Sequence, residues 1–82
     1  MTEAEITEKV IALVTPYVKN RKALSNITPD TTFLADLGIN SARLVDIVLA
    51  FEDEFGIEVS DDAADSIATV GDAVALIGKL VP

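Results

Sequence analysis

The sequence predicts an all-α protein, an irregular four-helix bundle with three longer helices, one short helix and a long first loop. Half of its 82 residues are hydrophobic but only four are aromatic, so aliphatic side chains must form most of the core. Those side chains recur at spacings of three and four residues, the period of an amphipathic helix. A chain of this length has the size of one domain, so we expect a single domain over residues 1–82.

The first helix is predicted from about Thr2 to Val18, where apolar residues fall on one face. Acidic residues crowd its first turns, where the positive end of the helix dipole favours carboxylates. Pro16 lacks an amide donor and disfavours helical angles at Thr15, so we expect the helix to kink or stop early. The apolar face consists of Ile6, Val10, Leu13, Val14 and Tyr17.

A long loop is predicted from about Asn20 to Asn40, because turn-forming residues interrupt every apolar period there. The second helix, from about Ser41 to Phe55, has the strongest pattern, and Gly56 is a typical stop signal. Its predicted inward face carries Leu44, Ile47, Val48, Phe51 and Phe55.

Two further helices are predicted in the last third of the chain. A single short helix over Asp61–Ile67 has acidic residues in its first turn. Thr69, with Asp72 three residues later, forms a weak variant of the capping box, so the last helix is expected over Val70–Leu80.

The charge balance and the missing residue types exclude several classes of function. The net charge of −8 repels nucleic acids and anionic membranes and attracts basic protein surfaces. The chain has neither cysteine nor histidine, so it lacks a thiolate nucleophile, an imidazole base and the commonest metal ligand. We therefore expect a protein that is not an enzyme and has no catalytic residues.

The apolar runs and the N-terminal sequence indicate where in the cell the protein is expected. No apolar run approaches the roughly 20 residues that span a bilayer, so no membrane insertion is expected. The acidic N-terminus lacks the basic-then-apolar order of a secretory signal. A cytoplasmic protein, monomeric in solution, is the resulting expectation.

Two acidic clusters have alternative interpretations. Glu52-Asp53-Glu54 and Asp61-Asp62 have oxygen ligands that suit hard cations, but they also fit a solvated, self-repelling face. Neither cluster has the spacing of an EF-hand loop. We predict no specific metal site.

The outward face of the second helix mixes acidic and aliphatic residues. A fully solvated face has no need of aliphatic side chains, so the mixture indicates a docking surface with apolar contacts inside an acidic rim. Scattered surface hydrophobic residues are the simpler alternative. The candidate partner-binding residues are Ala42, Val45, Asp46, Leu49, Glu52 and Asp53.

A glycine turn leads into Asn40 and Ser41 at the start of the second helix. Both residue types are favoured helix N-caps, worth about 1 kcal/mol, and capping alone could explain them. Alternatively, Ser41 is an exposed hydroxyl beside a helix terminus that favours a phosphodiester. The residues alone leave both interpretations open.

Three segments resemble the acyl carrier proteins: TTFLADLGINS over residues 31–41, LVDIV over 44–48 and FEDEFGIEV over 51–59. The resemblance covers nearly the whole chain. It implies that Ser41 carries a 4′-phosphopantetheine arm, derived from coenzyme A and attached covalently through a phosphodiester. The terminal thiol of that arm holds the cargo as a thioester, which gives a chain without cysteine its sulfur chemistry.

The resemblance also implies partners and a cleft. The partners are a phosphopantetheinyl transferase and an acyl or aminoacyl ligase, synthase or transferase with a basic docking surface. They would recognise the second helix, where the acidic and aliphatic residues named above match the family's surface. An acyl cleft in fatty-acid members would correspond to residues that are equally compatible with plain core, namely Val48, Phe51, Val59, Ala64 and Ile67.

The attachment site departs from the family's usual Asp-Ser-Leu. It is Asn40-Ser41-Ala42 here, and Arg43 adds a positive charge. The departure suggests a specialised carrier for fatty-acid, lipid or secondary-metabolite biosynthesis with dedicated enzymes. An aminoacyl carrier, an unmodified acidic protein-interaction domain and, more remotely, a calcium-binding regulator are the alternatives.

Overall fold

Four α-helices and three short 3₁₀ helices make up the computed structural model, which describes residues 1–81. The first helix packs against the last and against the second, and this confirms the predicted all-α bundle. The α-helices are α1 (Glu3–Val14), α2 (Leu44–Phe55), α3 (Asp61–Asp65) and α4 (Val70–Leu80), and the 3₁₀ helices are Thr15–Tyr17, Arg21–Asn26 and Ser41–Arg43.

A reciprocal cap starts α1. The Thr2 hydroxyl oxygen accepts from the Glu5 amide at 3.1 Å, and the Glu5 carboxylate accepts from the Thr2 amide at 3.0 Å. The α-helix ends at Val14 rather than Val18, and the chain tightens into a 3₁₀ turn containing Pro16. The proline cannot donate to the carbonyl four residues earlier, which is why the helix stops early.

The long connection between α1 and α2 is not entirely loop. It contains the 3₁₀ helix Arg21–Asn26, which the turn-rich composition concealed. The Phe33 amide donates to the Ala68 carbonyl at 3.1 Å, and the Val70 amide donates to the Thr31 carbonyl at 2.9 Å. These two bonds fasten the connection to the start of α4.

The predicted capping box at α4 is present. The Thr69 hydroxyl accepts from the Asp72 amide at 3.0 Å, and the Asp72 carboxylate accepts from the amides of Thr69 and Ala68, both at 3.1 Å. These two amide donors favour the ionised carboxylate and lower the pKa of Asp72. The weak variant of the motif therefore works as a full cap.

The core draws on α1, the long connection, α2 and α4. Aliphatic side chains dominate it, and the Phe33, Phe51 and Phe55 rings are also buried. Within residues 1–81 no buried side-chain nitrogen or oxygen lacks a hydrogen-bond partner. The largest fully buried side chains are Phe33, Phe51, Leu37, Ile47, Ile77, Val10, Val14 and Val70.

Gly71 and Gly78 are expected to respond in opposite ways to substitution by alanine. A methyl group at Gly71 would lie 2.9 Å from the Pro29 carbonyl oxygen, whereas at Gly78 the nearest atom, Cδ1 of Ile6, is 3.9 Å away. Gly71→Ala should lower the free energy of unfolding by about 1–3 kcal/mol through overpacking. Gly78→Ala should raise it by about 0.5–1 kcal/mol through helix propensity. Urea denaturation measures both, and equal effects would contradict the steric explanation.

Asp72→Asn should destabilise the protein at neutral pH but not in acid. Because the folded-state pKa of Asp72 is lowered, its stabilising contribution is full above its unfolded pKa and is lost as the pH falls through the folded value. The difference in melting temperature between wild type and variant should therefore shrink below about pH 4. Asp53→Asn is the control, because Asp53 is exposed and its carboxylate accepts no hydrogen bond within residues 1–81. A difference that stays constant down to pH 3 would contradict the assignment.

Candidate functional site

The Ser41 side chain lies at the surface, in the 3₁₀ turn that precedes α2. Asn40 is the N-cap of this turn, because its Oδ1 accepts from the Ala42 amide at 2.9 Å and its carbonyl accepts from the Arg43 amide at 2.8 Å. The Ser41 hydroxyl makes no hydrogen bond to any residue in the range 1–81. The capping role belongs to Asn40, and the Ser41 oxygen is available for chemistry.

Buried neighbours hold this turn in place. Leu37 is completely buried and Ile39 is 3% exposed, so the chain enters the core just before Asn40. Between them, Gly38 has φ +68°, a left-handed conformation that disfavours other residues. The backbone amides of Lys19 and Asn20 both donate to the Leu37 carbonyl at 3.1 Å. The position of Ser41 therefore follows from core packing.

The predicted docking residues lie on the outer side of α2, except for Ala42, which belongs to the 3₁₀ turn just before it. Val45 is 65% exposed and Leu49 is 53% exposed, so these two side chains form an apolar area on the surface. Ala42 and Asp53 are also exposed. Apolar and charged side chains thus occur together on α2, as they do in protein–protein interfaces.

Two of the three predicted docking carboxylates already have partners. Asp46 Oδ2 lies 3.2 Å from Arg43 Nη1, an ion pair between residues three apart on the helix. Glu52 Oε2 accepts from the Val59 amide at 2.9 Å and so holds the segment after α2. From the sequence alone, Arg43 is expected only to add a positive charge. Its spacing of three from Asp46 was the available signal for the pair.

A cleft of about 270 Å³ between α2 and α3 begins at Ser41. Of the five residues predicted for an acyl cleft, Val48, Val59 and Ala64 line it. Phe51 is 1% exposed inside the core, and Ile67 packs against that core. The other lining residues, which the sequence analysis did not assign to a cleft, are Leu44, Val45, Leu49, Glu52, Asp61 and Asp65.

The cleft combines an aliphatic wall with a carboxylate rim. Leu44 and Val48 are one helical turn apart on α2, and Val59 and Ala64 supply apolar surface from the other side. Glu52, Asp61 and Asp65 also line the cleft. An apolar chain with a polar end attached near Ser41 matches this arrangement.

No three carboxylates within residues 1–81 are grouped closely enough to hold a metal ion. Across the same residues, none of the helices has the length and apolar character needed to cross a membrane.

The chain is similar to proteins of one family. The model of the family described as "Phosphopantetheine attachment site" matches residues 9–77. The acyl carrier protein of Sinorhizobium fredii (strain NBRC 101917 / NGR234) is 55% identical over 53 residues, which cover 65% of this chain and 68% of that protein. Acyl carrier protein AcpP of Rhizobium meliloti (strain 1021) has the same identity and coverage.

One solved structure extends the likeness to the whole fold. It is an acyl carrier protein from Enterococcus faecalis, 34% identical, and it superposes with a TM-score of 0.79. The superposition covers 96% of this chain and 98% of that chain.

Proposed function

The chain belongs to the acyl carrier protein family, and from that premise we propose that Ser41 is the residue to which 4′-phosphopantetheine is attached. The proposal depends on one observation, the exposed Ser41 hydroxyl that Asn40 relieves of any capping role. When bound, the arm supplies a thiol that carries the acyl cargo as a thioester.

Attachment requires little of the chain beyond presentation of the hydroxyl. The Ser41 Oγ forms a bond to the pantetheine-bearing phosphorus of coenzyme A, and the bond from that phosphorus to adenosine 3′,5′-bisphosphate breaks. The hydroxyl proton goes to a base on the transferase, because no side chain within residues 1–81 accepts a hydrogen bond from the Ser41 hydroxyl. We therefore propose a carrier that is not itself an enzyme.

We propose that partner enzymes dock on the outer surface of α2. Val45 and Leu49 would contact apolar side chains of the partner, while Asp46 and Asp53 would attract its basic residues. Glu52 has a smaller part in docking, because its carboxylate already accepts the Val59 amide. The partners proposed are the phosphopantetheinyl transferase and the enzymes that load and use the cargo.

An acyl cargo of fatty-acid, lipid or secondary-metabolite biosynthesis is supported by the aliphatic wall of the cleft and by the acyl carrier proteins among the relatives. In this proposal Val48, Val59 and Ala64 contact the chain, whereas Phe51 and Ile67 support the wall from the core. A single domain over residues 1–82 that acts as a cytoplasmic monomer completes the proposal.

The test of attachment is the intact mass after incubation with coenzyme A and a broad-specificity phosphopantetheinyl transferase. Wild type should gain one phosphopantetheine group, and Ser41→Ala should gain none. Ser60→Ala is the matched control, because Ser60 caps α3 and its hydroxyl accepts from the Ala63 amide. That variant should be loaded fully. Several transferases that all leave wild type unmodified would favour the unmodified interaction domain.

Reversing two exposed charges on α2 should slow loading. Asp46→Lys combined with Asp53→Lys is expected to lower the rate on the order of tenfold at low salt, mainly through slower association, and to flatten its salt dependence. Initial rates at several salt concentrations measure both effects. The control is Glu8→Lys combined with Asp30→Lys, the same change in charge at exposed positions outside α2. Equal rates for the two double variants would remove α2 from the docking model.

A further inference from the structure

A second cleft, of about 530 Å³, lies beside the turn that carries Ser41. It separates the end of α1 from the start of α2, whereas the apolar cleft lies between α2 and α3. Ser41 itself lines only the apolar cleft, but its neighbours Asn40 and Arg43 line the second one. The residues that line the second cleft are Pro16, Tyr17, Val18, Lys19, Asn40 and Arg43.

The charges around this cleft contrast with the rest of the molecule. The chain has only 6 basic residues against 14 acidic ones, yet Lys19 and Arg43 both line this cleft and no carboxylate within residues 1–81 does. Asn40 caps the turn with a neutral amide, so the cap adds no negative charge beside Ser41. An anion in this cleft would meet two cations in a protein that otherwise repels anions.

Backbone contacts fix the position from which the Lys19 side chain starts. The Lys19 amide donates to the Leu37 carbonyl at 3.1 Å, and Leu37 is fully buried. The Lys19 Cβ lies 3.4 Å from the position that a Cβ on Gly38 would occupy. Lys19 is therefore held against the segment that leads into Ser41, and its long side chain adds reach.

The second cation is available at little cost. Arg43 Nη1 contacts Asp46 Oδ2 at 3.2 Å, but the two side chains are 63% and 45% exposed. An ion pair this exposed is weak and is easily exchanged for another anion. A guanidinium matches the geometry of two phosphate oxygens, which makes phosphate a good competitor for Asp46.

We propose that Lys19 and Arg43 form an anion subsite that holds the phosphodiester at Ser41 after the arm is attached. The inference rests on the proposed function, because it takes Ser41 as the attachment residue. The phosphorus would be bonded directly to the Ser41 Oγ, and the residues Asn40 and Arg43 of the same turn line the cleft that Lys19 also lines. The subsite selects a phosphate ester and makes no demand on the cargo.

This subsite couples the arm to the docking surface. When Arg43 turns to the phosphodiester, it leaves Asp46, whose carboxylate then faces solvent without a counter-charge. The loaded form therefore presents a more negative α2 surface to the basic residues of partner enzymes than the unloaded form does. Enzymes that use the arm would bind the modified protein in preference to the unmodified one.

The test is titration of the unmodified protein with each half of coenzyme A, followed by backbone and arginine side-chain NMR. The probes are 4′-phosphopantetheine and adenosine 3′,5′-bisphosphate, each at 0.15 M ionic strength. The first should shift the Lys19 and Arg43 resonances. Selective binding of the second would show that the cleft recognises the nucleotide half instead and would overturn the proposal.

Four variants sharpen the result. Lys19→Gln and Arg43→Gln should each weaken 4′-phosphopantetheine binding about two- to fivefold, whereas Asp46→Asn should strengthen it by a similar factor because Arg43 is released. Asp53→Asn removes the same charge from the same helix without releasing Arg43, so it should leave the affinity nearly unchanged. Equal gains for Asp46→Asn and Asp53→Asn would reduce the effect to overall charge and would overturn the subsite.

The covalent form provides an independent readout. Loading of wild type should move the Arg43 Nε resonance, and the ³¹P resonance of the loaded arm should differ between wild type and Arg43→Gln. If wild type accepts no arm, the proposed function fails, and the titration still reports on the cleft. If wild type is loaded but neither the Arg43 Nε nor the ³¹P resonance responds, the subsite alone is wrong.

Discussion

The burial of Leu37 and Ile39 on either side of Gly38 is the constraint on which the functional end of the molecule depends. The two side chains are almost fully buried and lie two residues apart, so the chain is anchored in the core on both sides of Gly38. Gly38 has φ +68°, a left-handed conformation that glycine adopts without strain. The same stretch delivers Asn40 to the cap position and leaves Ser41 outside. The packing of Leu37 and Ile39 in the core thus positions the exposed Ser41 hydroxyl, which has no hydrogen bond of its own within residues 1–81.

Hydrogen bonds from side chains to backbone amides do much of the remaining positioning. Four helical segments have a side-chain cap, in which the side-chain oxygen accepts a hydrogen bond from an amide of the first turn that would otherwise lack a partner. The capping residues are Thr2, Asn40, Ser60 and Thr69. Glu52 performs a similar task across a turn by accepting the Val59 amide. A small core cannot order every connection by burial, so local polar contacts supply order that apolar packing would supply in a larger protein.

The strong periodicities were read correctly from the sequence. Gly56 ends α2 in the left-handed conformation, and the spacing of Thr69 and Asp72 marks the start of α4. The rotation of α2 was less accurate. Ile47, Phe51 and Phe55 face inward as predicted, and Leu44 packs against the core while also lining the cleft. Val48, which the pattern also predicts to face the core, is half-buried and lines the cleft. A broad apolar face on a helix fits several rotations, and only the position of α3 decides which edge becomes a cleft.

The features that escaped the sequence analysis depend on contacts between distant segments. Nothing local to Lys19 indicates that it lies against Gly38, because that contact requires the path of the whole first connection. The 3₁₀ helix Arg21–Asn26 could not be predicted from local sequence either, because Ala23 and Leu24 pack on the core without any regular period. Patterns of period 3.6 report on α-helices, and six residues of 3₁₀ helix are too few to show a period of their own.

The cap at Asn40 is a neutral amide, and this affects the charge near Ser41. An aspartate there would also accept the Ala42 amide, but it would place a negative charge one residue from the oxygen that is proposed to carry a phosphodiester. Asparagine keeps the hydrogen bond, at 2.9 Å, and removes the repulsion. With Arg43 and Lys19 both lining the second cleft, two cations lie on the side of this turn that faces the end of α1. The departure from the family's usual attachment sequence therefore changes the charge on the side of the turn that faces α1 and leaves the carboxylates of α2 in place.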